Sequence, residues 1–148
     1  MQNLQTPEPL KNEHQEFKDQ LFEAVKSGGT LGKVAQQLVD ILNSHFKMEE
    51  EFAFPPLTLL LPRSHGEIIT DMKNALDIIE RFTQELPKLT QEHHEIIRTL
   101  EDFDEAVRIE RKIEFTQFSS RLIHHARAEE GILFPAAILI GEYLRLKL

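Results

Sequence analysis

His45-Phe46-Lys47-Met48-Glu49-Glu50-Glu51-Phe52-Ala53-Phe54-Pro55 and His125-Ala126-Arg127-Ala128-Glu129-Glu130-Gly131-Ile132-Leu133-Phe134-Pro135 are two copies of one pattern, H-x-x-x-E-E-x-x-x-F-P, offset by 125 − 45 = 80 residues. A His and a Glu four positions apart share one helix face, with Cβ atoms about 5–6 Å apart. That spacing suits two ligands of one metal centre. Pro cannot continue a helix and disfavours helical geometry just before it, so each Phe-Pro is read as a helix end. Each copy therefore predicts a ligand pair near the C-terminal end of a helix.

Working outward, the helical period recurs along most of the chain. Thr6-Pro7 reads as an N-cap with Pro in the first turn, and Leu10, His14, Phe17, Leu21 and Ala24 follow at steps of three and four up to Gly28-Gly29. Thr30 is placed to cap a second helix with the stripe Leu31, Val34, Leu38, Ile41, His45, Glu49 and Phe52. After the Pro- and Leu-rich break 55–62, an added amphipathic segment carries Ile68, Met72, Ala75, Ile79, Phe82 and Leu86, and Pro87 is expected to interrupt it. A third bundle helix then shows Leu89, His93, Ile96, Leu100, Phe103 and Val107. A fourth shows Phe115, Phe118, Leu122, His125, Glu129 and Ile132, and an apolar segment 136–148 follows. Period-2 alternation is absent. The expectation is an all-α, up-down four-helix bundle with an extra helix between the second and third bundle helices and a short C-terminal helix. It is read as a single domain, 1–148, made of two hairpins, 7–55 and 88–135, with the insertion 56–86.

The hairpins repeat each other. Leu10-x-x-Glu13-His14-x-Glu16-Phe17-x-x-x-Leu21 matches Leu89-x-x-Glu92-His93-x-Glu95-Ile96-x-x-x-Leu100 at an offset of 79. In an antiparallel hairpin the start of one helix lies beside the end of the next. His14, His45, Glu49, His93, His125 and Glu129 are therefore expected to meet at one level. A buried polar group without a partner costs roughly 1–3 kcal/mol, and a domain has only about 5–15 kcal/mol of stability to lose. Metal ions would satisfy all six together. Two imidazoles per metal with both carboxylates shared makes a binuclear site, and imidazole with carboxylate suits non-haem iron, with zinc or manganese as alternatives. His94 and His124 fall one residue off the stripes, and His65 sits in the insertion, so all three are read outside the ligand set. Glu50 and Glu130 can reach histidine Nδ1 atoms as outer acceptors or lie on solvated faces.

Composition narrows the classes further. A formal charge of −8 argues against nucleic acid and anionic membrane surfaces as partners. The absence of cysteine excludes disulfides, thiolate sites and iron–sulfur clusters. No leader is apparent and no apolar run is long enough to span a bilayer, so the chain is read as cytoplasmic. Ferritin-like di-iron proteins use Glu-x-x-His, and none of the seven histidines has Glu three residues before it.

These residues resemble the hemerythrin-like family, in the branch called HHE cation-binding domains. The two H-x-x-x-E-E…F-P motifs and the two Leu-x-x-Glu-His motifs carry the resemblance, which covers essentially the whole chain. It implies a four-helix bundle around an oxo- or hydroxo-bridged di-iron centre, with His14, His45, Glu49, His93, His125 and Glu129 as metal ligands. Oxygen-carrying members have H-x-x-x-H on the third helix. Here Ile97 follows His93 at that spacing and Arg98 follows His94. The pattern is closer to branches linked to NO or oxygen sensing and to repair of iron centres, and the expected role is to bind or sense O2, NO or redox state, with a diatomic ligand as partner. The alternative is a di-iron oxidase, peroxidase or iron-centre repair protein. One Tyr, no Trp and no phosphate loop or nucleophile–base pair favour a binding role over elaborate catalysis.

Overall fold

The computed structural model describes the backbone of residues 4–60 and 65–147, and the side chains over 4–59 and 72–147. Among the described residues five α-helices run in order: α1 Glu8–Lys26, α2 Gly29–Met48, α3 His65–Glu110, α4 Phe118–Ala128 and α5 Phe134–Lys147. Short 3-10 turns cover Pro55–Leu60 and Ile113–Phe115. No strand occurs among the described residues, and none of their helices is long and apolar enough to cross a membrane. The all-α bundle expected from the periodicity is what forms.

Four boundaries differ from the expectation, the fourth at the second Phe-Pro. First, Thr6 does not cap α1: Pro7 holds the cap position, and the Thr6 hydroxyl donates instead to the Glu50 carbonyl at 2.5 Å. Second, Thr30 lies inside α2. Gly28, with φ +73°, precedes the helix, and its first turn is held across the bundle by the Leu31 N–H donating to Glu110 Oε2 at 2.8 Å. Third, Pro87 does not separate an extra helix from the third bundle helix. Both belong to α3, a 46-residue helix that passes through Pro87. Pro87 is exposed, so its ring and its missing N–H fall on the solvent side, where water can satisfy the freed carbonyl.

Each Phe-Pro motif comes after a widened turn. Residues Glu49–Ala53 and Glu129–Leu133 are π-helical, closed by Phe54 N–H to Glu49 O at 3.0 Å and by Phe134 N–H to Glu129 O. After the first, the chain turns into the 3-10 segment. After the second it does not end: α5 continues directly from Phe134. The π turn inserts one residue and rotates the chain beyond it, so Ile132, in step with Glu129 by α-helical counting, is 66% exposed.

The core is split in two. One cluster joins Phe17, Leu21, Leu38, Leu42, Phe46, Leu100, Phe103 and Phe118 across α1 to α4. The other joins Phe54 and Leu57 to Ala75, Ile79, Phe82 and Leu89 of α3 and to Phe134, Ala137, Ile140 and Leu144 of α5. Gly141 lets α5 approach closely, because a Cβ there would lie 2.8 Å from Ile79 Cγ2. The insertion therefore extends the bundle instead of folding back along it. Leu57 joins the second cluster and Leu59 packs partly against it, whereas the Leu60 and Leu61 side chains lie outside the described residues.

Candidate metal centre

Between the two apolar clusters lies a polar layer. Each contributing helix crosses it at a residue flanked by both clusters: His14 between Leu10 and Phe17, His45 between Leu42 and Ala53, His93 between Leu89 and Ile96, His125 between Leu122 and Phe134. The layer is in the middle of the molecule, not at an end of the bundle as the repeat implied, because α3 and α5 carry a second core beyond it. His14, His45, Glu49, His93, His125 and Glu129 are all between 0% and 4% exposed. Imidazoles and carboxylates are seldom buried so completely unless something pairs them.

The six side chains form two groups. His14, His125, Glu49 and Glu129 offer ligand atoms within 4.8 Å of one another, and so do His45, His93, Glu49 and Glu129. Both carboxylates belong to both groups, and each directs one oxygen to each. Glu49 Oε1 is 3.4 Å from His14 Nε2, while its Oε2 is 3.3 Å from His45 Nε2 and 3.7 Å from His93 Nε2. Glu129 Oε2 is 3.2 Å from His125 Nε2 and 3.8 Å from His14 Nε2, while its Oε1 is 3.2 Å from His93 Nε2. Every group takes one histidine from each hairpin.

A second ring of four glutamates holds the histidines from behind. Glu50 meets His14 Nδ1 at 2.8 Å, Glu92 meets His45 Nδ1 at 3.0 Å, Glu130 meets His93 Nδ1 at 2.7 Å, and Glu13 hydrogen bonds His125 Nδ1. Each histidine is thus held from a neighbouring helical segment, and the contacts close a circuit around the bundle. The internal repeat maps Glu13–His125 onto Glu92–His45 and Glu50–His14 onto Glu130–His93. The doubled Glu of each motif points to Glu50 and Glu130 as outer acceptors. Sequence reasoning misses Glu13 and Glu92, although the Glu before each His in the repeated Leu-x-x-Glu-His is their signal. His94 and His124 are exposed and outside both groups, as expected; the His65 side chain lies outside the described residues.

The outer ring decides what the inner atoms can do. A carboxylate only accepts, so each Nδ1 carries a proton and the neutral imidazole presents a bare lone pair at Nε2. His14 Nε2 and His125 Nε2 lie 3.1 Å apart. His45 Nε2, His93 Nε2, both Glu49 oxygens and Glu129 Oε2 are buried with no hydrogen-bond partner. Lone pairs facing lone pairs in an apolar enclosure repel, and only a cation between them relieves this. A metal ion fits that donor set. Protons are the substitute: burial disfavours the His93 imidazolium, but the surrounding Glu129, Glu49 and Glu130 outweigh it and its pKa rises to about 10. Burial is likewise outweighed at His125, by Glu129, Glu13 and Glu49, and its pKa rises to about 9. His45 also rises, with Glu49 and Glu92 overcoming burial. Burial and the charge of Glu129 push the Glu49 carboxyl up. At Glu129 burial acts in the same direction, but contacts with His125, His14 and His93 prevail and hold it well below the usual range.

Aromatic rings pack the layer from both sides. Phe46 stacks on His14 with centroids 3.7 Å apart, and Phe17 meets His125 edge-on at 5.2 Å. From the other side Phe134 lies parallel to His93 at 5.9 Å, and Phe54 is 5.6 Å from His14. They pack against the histidine rings of a layer whose six side chains are almost fully buried.

Comparison with known proteins agrees with this geometry. No significant match was found among curated proteins or solved structures. A family model described as the hemerythrin HHE cation binding domain matches residues 6–137, most of the chain and all six inward-facing side chains. The chain therefore belongs to the hemerythrin HHE cation-binding family.

Proposed function

We propose that the chain holds two non-haem iron ions, one per group, and uses them to bind or sense a small diatomic molecule, O2 or NO, or to respond to redox state. The observation that carries this reading is the sharing of Glu49 and Glu129. Each carboxylate directs one oxygen to each group, so both could be shared between two adjacent cations. Imidazole with carboxylate suits iron among the common metals, with zinc and manganese as the competing occupants. Bound iron would supply two accessible oxidation states and a coordination position for the diatomic.

The chain's own residues do the rest. Glu13, Glu50, Glu92 and Glu130 hold the Nδ1 protons, so that the four Nε2 atoms stay aimed inward as donors. Phe17, Phe46, Phe54 and Phe134 keep the layer dry, which admits small apolar molecules more readily than ions. The test is metal analysis and optical spectroscopy of protein from iron-fed cells, then rapid mixing of the reduced form with O2 or NO. Two irons per chain and an adduct that reverses on degassing are expected. A firm ratio of one or zero overturns the binuclear reading, and turnover of peroxide without a stable adduct moves the function to an oxidase or peroxidase.

A further inference from the structure

The outer face of α5 is apolar and has no partner among the described residues. Ile132 is 66% exposed, Leu139 70%, Tyr143 52% and Leu146 86%, and half-buried Ala136 lies among them. The order 132–136–139–143–146 steps by 4, 3, 4 and 3, the repeat by which paired helices build a continuous seam. The inner face of the same helix is spoken for, since Phe134, Ala137, Ile140 and Leu144 sit in the second core cluster. Ile132 joins the outer stripe only because the π turn at Glu129–Leu133 rotates it outward.

We propose that this face pairs with the same face of a second copy of the chain, in antiparallel orientation, to form a homodimer. Three observations select a second copy. The stripe is self-complementary about Leu139: Ile132 lies seven residues before it and Leu146 seven after. Antiparallel pairing sets Leu139 against its own counterpart and Ile132 against Leu146 of the second copy. The same register brings the basic end of one helix, with Lys147 and with Arg145 already paired to Glu142 Oε1 at 2.6 Å, beside the acidic end of the other, where Glu130 holds His93 Nδ1 and keeps its side chain 42% exposed. In a chain of net −8, α5 itself carries only 2 − 1 = +1 from Arg145 and Lys147 against Glu142, so the acidic charge of the chain lies on other elements. The size is adequate: the four exposed side chains present roughly 500 Å² per copy, so pairing removes about 1,000 Å² from water, where specific interfaces begin. The proposal does not depend on which metal, if any, fills the polar layer.

Light scattering on the full chain should give a mass twice the chain's 17.2 kDa. Leu139→Asp should return it to the monomer, with helical circular dichroism unchanged. Cysteine substitution reads the orientation, because the chain has no cysteine of its own. Leu139→Cys should cross-link to itself on mild oxidation. Leu146→Cys should not, since two copies centred on Leu139 place those positions about 21 Å apart along the axis, far beyond the ~7 Å a disulfide can span. It should cross-link instead with Ile132→Cys when the two variants are mixed. A monomeric mass for the unaltered chain overturns the proposal, as does a Leu139→Asp variant that stays dimeric. Self-linking of Leu146→Cys overturns the antiparallel arrangement. A monomer that floats with phosphatidylserine vesicles assigns the stripe to a lipid surface and overturns the dimer.

Discussion

Glu13 and Glu92 touch no inward-facing atom of the polar layer, yet each fixes a tautomer and a ring orientation through Nδ1 of His125 or His45. Removing such an outer partner typically costs 10–100-fold in metal affinity. Glu13→Ala and Glu92→Ala are expected to weaken metal binding by about that factor in chelator competition, with helical content retained. His94→Ala and His124→Ala should bind as the parent does, because both side chains are exposed and outside the two groups. Equal affinity in all four variants would remove the outer ring from the account. A second test at this scale concerns Arg111, a non-glycine residue with positive φ, +55°, just past the end of α3. An L-residue pays there for its Cβ, so Arg111→Gly should raise stability by about 0.5–1 kcal/mol in urea unfolding.

Among the elements, α2 shows how far a cap can travel. Its N-terminal turn has no side-chain cap of its own, and the acceptor comes from Glu110, 79 positions later, at the last turn of α3. Gly29 makes that possible: its φ is +65°, and a Cβ there would fall 2.0 Å from Glu110 Oε1. Glu110→Ala should therefore cost about 1 kcal/mol, seen as a lower urea midpoint at unchanged slope, as for loss of a local N-cap. A null effect would mean that water caps α2 equally well. The two π turns matter for the polar layer in a similar way. Each begins at an inward-facing Glu, and the wide turn lets Glu49 and Glu129 face inward while their neighbours Glu50 and Glu130 reach histidines on adjacent helices.

For the whole molecule, the polar layer ties stability to pH. In the metal-free protein His93 and His125 have pKa values of about 10 and about 9, above the ordinary 6.5. The folded state therefore binds protons more tightly than the unfolded chain, and this stabilisation is complete below pH 6.5. It is lost as pH rises through about 9 and about 10. Metal-free protein should melt at progressively lower temperature across that window. Metal-loaded protein should not share that fall, because a bound cation takes the place of the protons, and metal uptake near neutral pH should release protons. Parallel pH profiles for the two forms would contradict the geometry of facing lone pairs.

The six inward-facing residues and the all-α class were legible in the sequence because both rest on period. Side chains spaced by three and four share a helix face whatever the helix packs against, and a repeat at offsets of 79 and 80 brings the two hairpins to the same level. The outer ring was half legible: Glu50 and Glu130 come from the doubled Glu, while Glu13 and Glu92 were visible only as part of a repeated motif. What period cannot carry, tertiary structure decided. Local propensity says Pro87 breaks a helix, but burial of Ala75, Ile79, Phe82 and Leu89 against α5 holds α3 together through it. Propensity also says Pro135 ends one, but the π turn before it shifts the hydrogen-bond register so that α5 continues, turns Ile132 outward and places a second core over the polar layer. Each is a non-local gain set against a local cost, and which of the two prevails depends on neighbours that are distant in the chain.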